Sequence, residues 1–116
     1  MAIIAERRTP MPFVNLHELE AKELNPGFKG NIIHSVNMTI GYFDVKAGAV
    51  LPEHSHPHEQ VTTILEGEFE MTVNGATEAL GAGSAAVIPS GAIHSGRAIT
   101  DCRAIDAFHP VREDWR

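Results

Sequence analysis

From residue 31 onward the chain alternates apolar and polar residues in short runs, and turn-forming residues close nearly every run. Phe69, Met71 and Val73 alternate with Glu68, Glu70 and Thr72, the period-two pattern of a strand with one buried face. Asn74-Gly75 follows at once, a two-residue hairpin signal, because both residue types accept a positive φ. The chain is expected to return over 77–80 and to turn at Gly81-Ala82-Gly83. Residues 84–88 form another candidate strand, stopped by Pro89-Ser90-Gly91, and 103–108 a last one, ended by Pro110. Residues 36–45 read as a first long strand that ends at Lys46-Ala47-Gly48. Residues 60–65 are rich in β-formers on both parities. Val61, Thr63 and Leu65 lie opposite Gln60, Thr62 and Ile64, so both faces of that strand need cover. Residues 15–24 hold one candidate short helix, carried by Leu16, Leu19 and Leu24 and ended by Asn25-Pro26-Gly27. Many short strands with turns between them predict an all-β sandwich or barrel. We therefore expect an N-terminal extension over 1–30 and a single β-barrel domain over 31–116.

A chain of 116 residues forms one domain with one real core, and 43% hydrophobic residues is ordinary for such a domain. The formal net charge of −6 argues against nucleic acid or an anionic membrane surface as a partner, since both need a basic footprint. No apolar run approaches the roughly 20 residues that span a bilayer. The first eight residues, ending Glu6-Arg7-Arg8, lack the basic-then-apolar order of a signal peptide. Cys102 is the single cysteine, so no intrachain disulfide forms; in its apolar stretch it reads as a small core residue. A cytoplasmic location is the expectation.

The candidate chemistry lies in His54-Ser55-His56-Pro57-His58-Glu59-Gln60 and in His94. In an extended stretch His54 and His56 point to the same side, and Gln60 shares their parity. Three imidazoles and one amide oxygen converging on a point suit a divalent transition metal: nickel, zinc, manganese or iron. The metal ligands are therefore read as His54, His56, Gln60 and His94, with about two octahedral positions left for water or substrate. Gln60 is a neutral donor, so the site keeps more positive charge and more attraction for an anion. His58 shares the parity, but Pro57 breaks the register, which makes it a residue at the mouth. Glu59 reads as a solvated strand-edge charge.

Gly48, His54, His56, Gln60 and Gly67, with Gly83, Pro89, Gly91 and His94, resemble the two signature motifs of the cupin superfamily in order and spacing, over about residues 40–108. Two positions depart: Gln60 stands where the first motif usually has Glu, and Ala98 where the second ends in Asn. The resemblance implies a double-stranded β-helix, the jelly-roll cupin barrel.

Near the C-terminus Asp106 and Phe108 share one strand face with Ala104, and Arg112 follows just past the strand. A carboxylate on such a face either caps an edge or points into a polar pocket, because burying it otherwise is costly. Arg112 has the planar fork that binds an anion. With the histidine cluster, this tail resembles the KdgF-type pectin-degradation cupins, which open the ring of 4,5-unsaturated galacturonate. The resemblance implies catalytic roles for Asp106, Phe108 and Arg112 and a small anionic substrate. A metal-dependent dioxygenase and a non-catalytic binding cupin are the alternatives. Aromatic content of only 6% argues against the large aromatic-lined pocket that dioxygenase substrates want. The apolar face of 60–65, with Ile3, Ile4 and Phe13 adding a strand across it, predicts a homodimer.

Overall fold

The computed structural model describes residues 12–116. It is an all-β molecule of two antiparallel sheets. Its strands are β1 (Lys22–Asn25), β2 (Phe28–His34), β3 (Thr39–Val45), β4 (Val50–His54), β5 (Glu59–Glu66), β6 (Phe69–Val73), β7 (Ala76–Leu80), β8 (Ala85–Ile88), β9 (His94–Ala98) and β10 (Cys102–His109). One sheet runs β1-β2-β3-β10-β5-β8 and the other β4-β9-β6-β7, so the last strand lies between strands three and five, as a jelly roll requires.

The β6–β7 hairpin turns on Asn74 and Gly75, whose φ values of 48° and 85° are those of the expected two-residue loop. Gly67 has φ 87°, and a Cβ there would meet the carbonyl oxygen of Asp101, so this glycine marks a backbone crossing as well as a turn.

The helix expected over 15–24 does not form. Asn15 caps a single 3-10 turn, Leu16–Glu18, by accepting from the His17 amide, and the chain is already extended at Leu19. Three leucines at spacings of three and five do not make one helical stripe. Leu24 instead packs on the core from β1, which pairs with β2. The strand expected over 36–45 begins at Thr39, because Ser35 and Met38 close the β2–β3 turn with paired hydrogen bonds. Position 31 falls inside β2, which pairs with β3 along its whole length. Phe13 is exposed and outside any strand, while Ile3 and Ile4 lie outside the described residues.

Between the sheets sit Phe28, Phe43, Val45, Ile64, Phe69, Met71 and Ile88, with Cys102 among them as expected. Two rings there lie flat on their sheets because glycine underlies them. A Cβ on Gly30 would come within 2.6 Å of the Phe43 ring, and one on Gly41 would strike the same ring. In the opposite sheet a Cβ on Gly96 would strike the Phe69 ring. These three positions let the two rings pack directly on the sheet backbone.

Candidate metal centre and cavity

His54, the last residue of β4, pairs directly across the sheet with His94, the first of β9. His56 lies in the loop that leads into β5, where Gln60 faces inward and is 4% exposed. The ring centroids are 4.1 Å apart for His54 and His94, 4.9 Å for His56 and His94, and 5.6 Å for His54 and His56. One nitrogen from each of these three rings lies within 4.8 Å of the others, close enough to share one ion.

The backbone fixes which nitrogen that is. Each Nδ1 faces a carbonyl oxygen: His54 that of Pro52 at 2.8 Å, His56 that of His58 at 3.0 Å, and His94 that of Ala92 at 2.9 Å. A carbonyl only accepts, so each Nδ1 carries the hydrogen and each Nε2 keeps a lone pair. Burial lowers the pKa of His56 and His94, which favours the neutral imidazoles a metal needs. His94 is 1% exposed, and its Nε2 has no hydrogen-bond partner among the described residues.

A second chain of hydrogen bonds fixes the amide. The Thr62 hydroxyl donates to Asp106 Oδ1 at 2.6 Å, and so accepts from Gln60 Nε2 at 2.8 Å. That leaves Gln60 Oε1 turned to His56 Nε2 at 2.9 Å. Both atoms are acceptors, and a cation between them reconciles the pair. The donor set thus fits a divalent metal held by His54, His56, His94 and Gln60. The His58 ring stands beside that of His56 but contributes no nitrogen to the cluster; its carbonyl orients His56 instead.

Behind the cluster lies a cavity of about 320 Å3, small for a ligand site. Asp106, paired across the sheet with Thr62 and Gly41, faces into it. Burial pushes its carboxyl up to about 6, against the opposing hydrogen bonds of Thr62 and Gln60 and the charge of Arg112. Asp106 is half-buried and borders the open space of the cavity.

Arg112 does not pair with Asp106. Its guanidinium grips Asp114 with two bonds, Nε to Oδ1 at 3.1 Å and Nη2 to Oδ2 at 2.8 Å. It is stacked 4.1 Å from the Trp115 ring centre and 4.8 Å from that of Phe108. The backbone of Arg112 is tied in turn to the Thr39 hydroxyl at 2.8 Å. The sequence reading missed Thr62, Asp114 and Trp115. Thr62 shares the parity of Gln60, and that was the available signal.

Five of the seven aromatic side chains in the protein line this one cavity: Phe28, Phe43, Phe69, Phe108 and Trp115. An average content of 6% concealed that concentration, so it does not argue against an aromatic-lined pocket.

Two antiparallel sheets with a histidine cluster inside one end define a cupin, and residues 41–108 match the family described as the cupin domain. The chain belongs to that family. It is similar to KdgF from Halomonas sp., with 31% identity and a TM-score of 0.84 over 93% of this chain and 100% of that one. An RmlC-like cupin from Shewanella frigidimarina NCIMB 400 superimposes with a TM-score of 0.87 at 27% identity, over 95% of this chain and 100% of that one. An uncharacterised protein of Streptomyces coelicolor is 28% identical over 102 residues, 86% of this chain and 97% of its own.

Proposed function

We propose that the protein is a metal-dependent enzyme that opens or tautomerises the ring of a small sugar acid, in the manner of a 4,5-unsaturated uronate. The observation that carries this reading is the shared cavity: His54 of the histidine cluster, Gln60 and Asp106 all border one space, and Thr62 joins the last two. A bound divalent metal supplies Lewis acidity at that point. Asp106 takes and returns a proton at Oδ2, since Thr62 occupies Oδ1. Asp114 and the two rings hold Arg112 fixed, and its remaining N–H groups orient the substrate anion. Phe108 packs against the ring of the substrate.

Similarity to KdgF over nearly the whole of both chains supports the reading, as does the resemblance of the C-terminal motif that implies catalytic roles for Asp106, Phe108 and Arg112. The aromatic lining favours a second reading, a metal-dependent dioxygenase, over a non-catalytic binding cupin. Elemental analysis beside an ultraviolet assay separates them. Loss of absorbance from an unsaturated uronate without oxygen uptake supports ring opening; obligate iron with oxygen consumption supports the second reading. We further propose a cytoplasmic homodimer that joins through the outer face of the six-stranded sheet. There Ile33, Ile40, Ala107, Val61 and Val87 form one cross-strand row. Light scattering at micromolar concentration tests it, and a monomer refutes it.

A further inference from the structure

One inward-facing row crosses the six-stranded sheet at its histidine end: Gln60 on β5, Phe108 on β10, Thr39 on β3 and His34 on β2, each paired with the next. Gln60 and Phe108 belong to the site, while Thr39 and His34 lie beyond it. Thr39 is fully buried, and its hydroxyl oxygen accepts from the Arg112 backbone N–H at 2.8 Å. The same oxygen stands 2.8 Å from His34 Nδ1. Burial and then the charges of Arg116 and Lys22 lower the His34 pKa, against the Trp115 backbone and Glu113. At neutral pH the ring is therefore uncharged and holds one hydrogen. The Trp115 backbone takes a hydrogen bond from that ring. A carbonyl only accepts, so the hydrogen lies on Nε2, and Nδ1 accepts from the Thr39 hydroxyl. The link runs from the Arg112 N–H to Thr39, from Thr39 to His34, and from His34 to the Trp115 carbonyl. It closes on both ends of the C-terminal turn, and Lys22 Nζ adds a bond to the same carbonyl at 3.3 Å.

Asp114 and Trp115 fix the Arg112 guanidinium, but both sit on its own turn, so they do not fix it relative to the barrel. Trp115 rests on Phe43 and Phe108, at centroid distances of 6.1 and 4.9 Å. Burial of that ring holds the turn down without choosing a direction. The hydrogen bonds through Thr39 and His34 are directional, so they set where the turn stops along the wall.

We propose that His34 is a positioning residue: through Thr39 it locks the turn 112–115 to the barrel wall, and so sets the place from which Arg112 meets a substrate anion. The inference rests on the reading of Arg112 as the residue that orients that anion.

Trp115 is the one tryptophan of the chain and sits on the turn, so acrylamide quenching of its fluorescence reports the lock without any substrate. Thr39→Val keeps the shape and removes the hydroxyl, His34→Leu keeps bulk and removes both ring nitrogens, and His34→Gln restores one donor and one acceptor. Thermal melts confirm each fold. Quenching should rise at least about twofold in His34→Leu and Thr39→Val and return to the wild-type value in His34→Gln. Calorimetry of the zinc-loaded protein with galacturonate should show binding weakened about three- to tenfold in the first two variants and restored in the third. A role in stability alone would lower the melting temperature and leave quenching and binding of the folded protein unchanged. Wild-type quenching in both folded variants overturns the proposal, and so does raised quenching with undiminished galacturonate binding. If the wild type binds no galacturonate, the sugar-acid reading fails, and the quenching series still decides whether His34 holds the turn.

Discussion

The two faces of the six-stranded sheet reverse the usual placement of residue types. On β5 the inward residues Gln60 and Thr62 are each 4% exposed, while the outward Val61 and Leu65 are 37% and 43% exposed. On the neighbouring β8, Val87 is 67% exposed. A polar residue stays inside such a sheet only if its hydrogen bonds close there, and the Gln60–Thr62–Asp106 chain closes them. An aliphatic row stays outside most economically if another surface covers it. The sheet therefore carries a polar patch on its inner face and an aliphatic row on its outer face, and polarity alone does not tell inside from outside.

The largest effect separates the faces within one strand. Ile64 is fully buried between the sheets, so Ile64→Lys places an unpaired charge in the core and should prevent folding, a loss above about 4 kcal/mol. Circular dichroism of the purified variant reads this directly; a folded protein of normal stability would mean that the inner face yields to water.

Next comes the chemistry of the inner face. His56→Ala should lose metal and activity together while the fold persists. Asp106→Asn keeps the shape and removes the proton-accepting oxygen, so turnover should fall by about 10²–10⁴-fold with metal content unchanged. Wild-type turnover in that variant would remove Asp106 from the mechanism.

A smaller effect follows from the burial of the same carboxyl. Asp106 holds its proton up to about 6 in the folded chain, above its ordinary value of 3.8 in the unfolded one. The folded state thus binds the proton better between those values. Its contribution to stability is complete below about pH 4 and is lost as pH rises through 6, by about 2–3 kcal/mol at most. Denaturant titrations of metal-free protein at pH 4, 5, 6 and 7 should show that decline, and Asp106→Asn should flatten this part of it.

Features that depend on local periodicity were legible in the sequence. Alternation over Phe69–Val73 and the Asn74-Gly75 turn are set by neighbours in the chain. By contrast, His54 ends β4 in one sheet, His56 lies in the loop and Gln60 stands on β5 in the other, so the crossing between sheets and not strand parity brings them together. Strands β2, β4 and β9 were not legible as such, because each contains a poor strand former: Gly30, Pro52 or Gly96. Their pairing, and in the two glycine cases the ring that covers the glycine, overrides propensity. The candidate metal ligands could be named because their spacing is short, with only His94 arriving from elsewhere. The cavity could not, because it is assembled from aromatics as distant as Phe28 and Trp115. Asp114 was not read as the counterion of Arg112, since nothing local shows that a single 3-10 turn, Glu113–Trp115, brings residue 114 back onto residue 112.

The smallest effect on the fold tests the outer face. Val61 sits in the middle of the row that runs from Ile33 to Val87, beside Ala107 and Val87. Val61→Lys adds a charge that solvent can reach in a single subunit, so the stability of the subunit should change by no more than about 0.5 kcal/mol. In a two-fold assembly the same lysine stands near its own copy across the interface, desolvated and opposed by a like charge, and the dimer should come apart. Light scattering of the variant should give the mass of one chain where the wild type gives two, with an unchanged far-ultraviolet circular dichroism spectrum. If both scatter as monomers, the aliphatic row is free surface and the contrast between the two faces has no assembly behind it. If both remain dimers, the partner docks elsewhere and the row needs another occupant. Only dissociation with an intact fold ties the inverted polarity of β5 to two separate functions of one strand.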